Sequence, residues 1–161
     1  LQPTNNYSDN LAQTYNQRPL ILNEPRRFPA VQRAAAIVAA WLVPGAGHLV
    51  LGRLGRAGLF FVTITGSFIL GLALDARLFW PATDSASGVG LDRIDLISAL
   101  WFFAQVGSGL CYIGSHLLGF GLTPRPEAAT FEYGNTFTFL AGLLNYLVVH
   151  DAFDIAAGRK R

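Results

Sequence analysis

Four apolar stretches constrain this chain more than any other feature. Ala34 to Gly52 is nineteen residues without a charge, and a helix of that length, at ~1.5 Å per residue, just matches a hydrocarbon core of ~30 Å. Ala57 to Leu74 follows, interrupted only by Thr63, Thr65 and Ser67, whose hydroxyls can bond back to their own helix. Leu96 to Phe120 is the third stretch. The fourth begins near Thr136 and runs past Asn145 to Val149, after which His150-Asp151-Ala152-Phe153-Asp154 carries it to headgroup level. Charged residues make up 14% of the chain, where a soluble domain usually carries about a quarter. The expected fold is therefore all-α, an integral membrane four-helix bundle over residues 31–161. Its spans are expected at about 34–52, 57–74, 96–118 and 136–156.

Residues 1–30 are a different material. They are rich in Asn, Gln and Thr, and Pro3, Pro19, Pro25 and Pro29 break any regular helix. An extended polar N-terminal arm is expected, with Leu20-Ile21-Leu22 as an apolar anchor. About thirty mostly polar residues ahead of the first apolar run do not resemble a signal peptide. With no methionine anywhere, an upstream start or a processed end is expected.

Lysine and arginine give the orientation. With four spans, Arg18, Arg26, Arg27, Arg33, Arg77, Arg93, Arg159, Lys160 and Arg161 fall on one side, and Arg53, Arg56 and Arg125 on the other. Nine against three places both termini in the cytoplasm and the 53–56 loop outside. A re-entrant first block would give seven against five. Phe79-Trp80-Pro81, Phe131 and Tyr133 read as interfacial aromatics, and 82–95 as a polar loop in which Asp92 or Asp95 serves the next helix.

Two sequence features speak to packing. Pro44 removes a backbone donor and crowds the carbonyl of Ala40, so the first helix must kink there or unwind through Gly45 to Gly47. Loose backbone at membrane depth is tolerated only when buried in protein, so Gly45 and Gly47 are expected in a close-packed corner. In the third block Gly107, Cys111, Ser115 and Gly119 recur every four residues. That places four small residues on one helical face, a helix-packing ladder in lipid. Cys111, the sole cysteine, is read as packing, with no disulfide or cysteine-based metal cluster.

The corner carries a resemblance. An apolar helix, then Gly45-Ala46-Gly47-His48, then Gly52-Arg53 and a second apolar helix resembles the bacterial two-transmembrane-helix domain family. In that family paired spans are joined by a short Gly- and His- or Asp-containing turn with an aromatic-Leu-Gly run. Here Leu49-Val50-Leu51 stands where the aromatic pair belongs. The ending Leu144-Asn145-Tyr146 through Asp151-Ala152-Phe153-Asp154 with a basic tail is similar to uncharacterised bacterial multi-pass proteins with the same hinge. The resemblance implies a membrane fold in the bacterial inner membrane, and no established chemistry.

Few side chains invite chemistry. His48 and His116 fall near the outer ends of the first and third expected spans, where a shared leaflet would let them ligate a haem or bacteriochlorophyll. Structural hydrogen bonding is favoured over that. His150, Asp151 and Asp154 form the densest polar cluster. Two acids at a helix C-terminus call for cations, so salt bridges to Arg33 or to the tail are favoured over a divalent metal. Arg53 and Arg56 are balanced between a lipid phosphate and plain anchoring, and Asn145 reads as an interhelical hydrogen-bonding residue.

No hydrolase, metalloprotease or phosphate-loop motif is present, and no basic stripe suits nucleic acid. The expected function is a non-catalytic accessory subunit of a larger inner-membrane complex, energy-transducing, respiratory or photosynthetic. Its partners would be membrane lipids and other membrane subunits, with no resident cofactor. The alternatives are a tetrapyrrole-binding electron-transfer or light-harvesting subunit, and a small transporter or channel. The last would want charges deep in the spans.

Overall fold

The computed structural model describes residues 28–80 and 96–160, and among these helix is the only regular secondary structure. Six helices follow in order: α1 (Ala30–Leu42), α2 (Ala46–Val50), α3 (Leu54–Ala73), α4 (Leu96–Val106), α5 (Leu110–Leu117) and α6 (Phe131–Ala156). The arm before residue 28 and the 82–95 loop, including Asp92 and Asp95, lie outside the described residues.

Two helices, α3 and α6, are long and apolar enough to cross a membrane. The other two apolar blocks are each broken in the middle, which corrects the expectation of four continuous spans. The first ends as a helix at Leu42 because Pro44 has no N–H to offer the carbonyl of Ala40. Val43 is extended, and Gly45 turns the chain at φ +81°, a left-handed conformation that suits glycine. The third breaks at Gly107-Ser108-Gly109, where Gly109 also has positive φ. The small-residue ladder is thereby divided: Gly107 is in the break, Cys111 and Ser115 are on α5, and Gly119 lies beyond it.

The topology repeats itself. Each half runs short helix, break, short helix, long helix. In the first, Gln32 reaches the carbonyl of Val50, so α2 folds back along α1. Each return helix carries a histidine in its last turn, His48 on α2 and His116 on α5. Both then close on a left-handed glycine. Arg53 N–H bonds the His48 carbonyl and Gly52 N–H that of Leu49; Phe120 N–H bonds Ser115 and Gly119 N–H bonds His116. This is the paired 6→1 and 5→2 pattern of a Schellman cap. Gly119 is thus a helix stop rather than a packing residue, and a Cβ there would meet open space.

The two long helices pack antiparallel. A Cβ on Gly71 of α3 would strike Thr138 and the Gly134 carbonyl near the start of α6. At the other end, Arg56 of α3 comes within 3.8 Å of Asp151 near the end of α6. The first hairpin enters from that second end, where Ala36 and Ala40 pack on Ala152, Ile155 and Ala156. The second returns to the opposite end, where Leu78 N–H bonds the Gly121 carbonyl. Their tips meet inside: a Cβ on Gly109 would collide with the carbonyls of Trp41 and Leu42.

Candidate functional site

The polar groups of the interior gather at three places. The first is the meeting point of the hairpin tips. A helix broken in an apolar setting leaves carbonyls without donors, and here Asn145, fully buried in α6, supplies the donor. Its Nδ2 lies 3.2 Å from the Ala40 carbonyl, 3.2 Å from that of Trp41 and 2.8 Å from that of Gly107. One amide thus clasps both tips. Its Oδ1 is buried with no protein partner.

The same level of the molecule is where glycines admit backbone. A Cβ on Gly142 would land on the Ala104 carbonyl, and one on Gly107 would meet the Gly142 carbonyl at 2.5 Å. At the first tip, Gly45 abuts the Ala57 carbonyl of α3, and a Cβ on Gly47 would lie 2.5 Å from the Ala36 carbonyl and 2.6 Å from the Ala40 Cβ. Side chains larger than hydrogen cannot enter without moving whole helices.

The second place is the chain leaving α3. Asp75 (φ +65°) turns it, and residues 76–79 then run with Ala76 and Leu78 buried. Buried backbone needs partners, and side chains provide most of them. Arg77 N–H bonds Asn135 Oδ1 at 2.8 Å. Gln105 Nε2 donates to the Arg77 carbonyl at 2.9 Å while its Oε1 accepts from Phe79 N–H at 3.0 Å. The second hydrogen of Nε2 reaches Thr138 Oγ1, and the Tyr112 hydroxyl donates to the Phe79 carbonyl at 2.6 Å. Trp80 then stacks on His116 with ring centroids 4.9 Å apart. At the rim, Arg125 grips both oxygens of Asp75 in a fork.

The third place is the charged end. His48 is fully buried, and its Nε2 lies 3.0 Å from Asp151 Oδ2. A carboxylate only accepts, so Nε2 carries the proton, and Nδ1 is left buried with no partner. Asp151 also takes Lys160 Nζ at 3.0 Å, and Asp154 is bracketed by Arg159 at 3.5 Å and Lys160 at 3.7 Å. The Asp151 carboxylate holds the Lys160 ammonium above its ordinary range, with a smaller contribution from Asp154.

Two sequence expectations are corrected by these contacts. Arg53 and Arg56 were placed across the membrane from the tail, yet Arg56 shares Asp151 with Lys160, so hinge and tail occupy one end. A broken first block returns the chain to the end it came from, which a continuous span would not do. His48 and His116 were placed in one leaflet. His48 lies against Phe60 near the start of α3, the two rings tilted at 59°, while His116 lies against Trp80 and Tyr112, past the far end of α3. The two rings do not face each other. Among the described residues no group of three or more metal-ligating side chains converges.

Gln105, Tyr112, Asn135 and Thr138 were missed by sequence reasoning. Gln105 had a signal, as the lone amide of the third apolar block, one residue ahead of Gly107-Ser108-Gly109. The others look unremarkable until the segment they hold is in place.

Residues 35–161 match the model of a family described as a family of unknown function, DUF6677. The chain belongs to that family. The DUF6677 region begins inside α1 and takes in both breaks, both long helices, Gln105, Asn145 and the charged end. No curated protein and no solved structure matches the chain.

Proposed function

We propose that this DUF6677 protein is an integral membrane protein with two spans, α3 and α6. Between them two helical hairpins dip in from opposite faces, and the protein acts as a non-catalytic structural subunit of an inner-membrane complex. The observation that carries this is the inversion of its polarity. The fully buried side chains include His48, Gln105, Asn145, Thr138 and Ser108, while Leu59, Val62, Ile69 and Leu147 are 60% exposed or more. Only 22% and 39% of the apolar windows of α3 and α6 are buried, unlike the core helices of a soluble protein. Lipid is the solvent that such a surface fits.

The charges agree in spacing. Arg56 and Asp75 bound α3 nineteen residues apart, and Glu132 and Asp151 bound α6 by the same interval. Either interval spans ~29 Å of helix, the thickness of a hydrocarbon core. Arg53, Arg56, Arg159 and Lys160 sit at one end, against Arg77 and Arg125 at the other. The richer end is cytoplasmic by the positive-inside rule. The structural role rests on what the interior amides and hydroxyls do: they bond backbone, and hold helix ends and one extended segment in place. That is the work of a scaffold for lipid or neighbouring subunits.

The test has two arms. Arg53→Cys and Arg159→Cys, each in a Cys111→Ala background, are labelled in sealed vesicles with a membrane-impermeant maleimide. Both are expected to react from the same face, and labelling from opposite faces defeats the topology. Purification from the native membrane in mild detergent, with mass spectrometry and a visible spectrum, reads the role. A reproducible set of co-purifying subunits and no visible band supports it; a lone protein with a Soret or chlorin band overturns it.

A further inference from the structure

A groove of about 630 Å³ runs between α3 and α6 on the lipid side of the charged end. Its walls are graded. Leu59, Phe60 and Ile64 from α3 and Leu144, Leu147 and Val148 from α6 line the inner part, with Thr63 the one hydroxyl among them. His150, Asp151, Asp154 and Lys160 close the outer part. From Leu144 to Asp154 is ten residues of one helix, ~15 Å along its axis and so about the depth of one leaflet.

We infer that this groove is a binding site for a single glycerophospholipid of the leaflet on the charged side. One acyl chain lies along Leu59, Leu144 and Leu147, and its phosphate is held by Lys160 and Arg56. The inference rests on the membrane reading above.

Charge complementarity selects the headgroup. Asp151 and Asp154 face three cations, Lys160, Arg159 and Arg56, leaving one positive charge in excess. Arg56 is half exposed and stands 3.8 Å from Asp151, too far for a hydrogen bond, so its guanidinium has donors to offer. The Lys160 side chain is also half exposed, with one ammonium hydrogen to spare beyond the two that face the acids. A phosphate diester at the mouth would neutralise the excess, and an anionic headgroup would be preferred over a zwitterionic one. A peptide helix from a neighbour fits less well, because it would need both an apolar face for the floor and an acid placed opposite Arg56, which a phospholipid supplies together.

The experiment uses the full chain in mild detergent, titrated with dipalmitoyl-phosphatidylglycerol or dipalmitoyl-phosphatidylcholine and read by native mass spectrometry. The wild type is expected to hold one phospholipid, phosphatidylglycerol at least fivefold more tightly. Arg56→Gln with Lys160→Gln should erase that preference, and Leu147→Trp, which fills the groove from an exposed position, should lower occupancy at least tenfold for both lipids. Inorganic phosphate at millimolar concentration should not displace the lipid.

Retention unchanged in both variants overturns the site, as does displacement by phosphate alone. A dimer of the chain that Leu147→Trp abolishes also overturns it, by assigning the groove to a second copy. Extraction of native membranes with alkaline carbonate separates the two readings. A chain that stays in the membrane yet binds no phospholipid loses only the groove, whereas one released by carbonate loses the membrane reading itself.

Discussion

Asn145→Leu is the most informative single change in this protein. The Asn145 amide offers two hydrogens to three carbonyls, those of Ala40 and Gly107, both buried, and the part-buried one of Trp41. Leucine keeps the number and branching of the side-chain heavy atoms and suits lipid, so the substitution chiefly removes the donors. Stranding a buried acceptor costs ~1–3 kcal/mol, which for two hydrogens gives ~2–6 kcal/mol. Interhelical bonds in membrane proteins run lower, ~0.6–1.7 kcal/mol each, for ~1–3 kcal/mol in total. The two ranges overlap at ~2–3 kcal/mol, a drop in the folded-to-unfolded ratio of roughly 30- to 150-fold. The assay is unfolding by sodium dodecyl sulfate titrated into mild-detergent micelles, followed by tryptophan fluorescence, since Trp41 sits at the clasped tip. Asn145→Asp should be at least as damaging, because it turns an acceptor toward the same carbonyls. Leu144→Ala, one residue away on the partly exposed side, serves as the control. A loss below ~0.5 kcal/mol for Asn145→Leu, the size of an ordinary surface change, would refute the clasp.

Gly47→Leu should abolish stable folding in detergent, since its Cβ already meets backbone and two alanines. Gly66→Ala, on the same protein with open space around it, should be neutral or gain up to ~1 kcal/mol from helix propensity; equal melting temperatures for Gly47→Leu and wild type would sink the argument. The Lys160 ammonium is raised by Asp151 and Asp154, so its contribution is complete below the free lysine value of ~10.4 and disappears as pH climbs through the higher folded value. The melting difference between wild type and Lys160→Gln should therefore be constant from pH 8 to 10 and shrink above that, and a difference that grows with alkalinity would contradict the pairing.

The apolar blocks were legible because charge is costly in lipid and its absence over eighteen residues is easily seen. The break at Pro44 was also legible, since proline removes a specific bond. That it reverses the chain was not, because the reversal depends on Gln32 and Ala36 meeting α2 and on α6 covering both. The break at Gly107-Ser108-Gly109 was disguised by its own composition. Small residues at intervals of four serve close helix packing and helix interruption equally well, and only the contact of Gly109 with Trp41 and Leu42 decides between them. His48 and Asp151 are separated by 103 residues, so their pairing is invisible to local pattern. With it went the side of the hinge, and with the side went the arginine count.

The clasp at Asn145 also sets a schedule for biosynthesis. The carbonyls of Ala40 and Trp41 are made early, and the donor that satisfies them follows 105 and 104 residues later. Throughout that interval the first hairpin has an open tip, and burying it in lipid alone would strand those groups. On the membrane reading proposed above, the N-terminal half is therefore an incomplete unit until the last helix is delivered. A chain released before residue 145 carries every residue of the first hairpin but lacks the donor for the carbonyls at its tip.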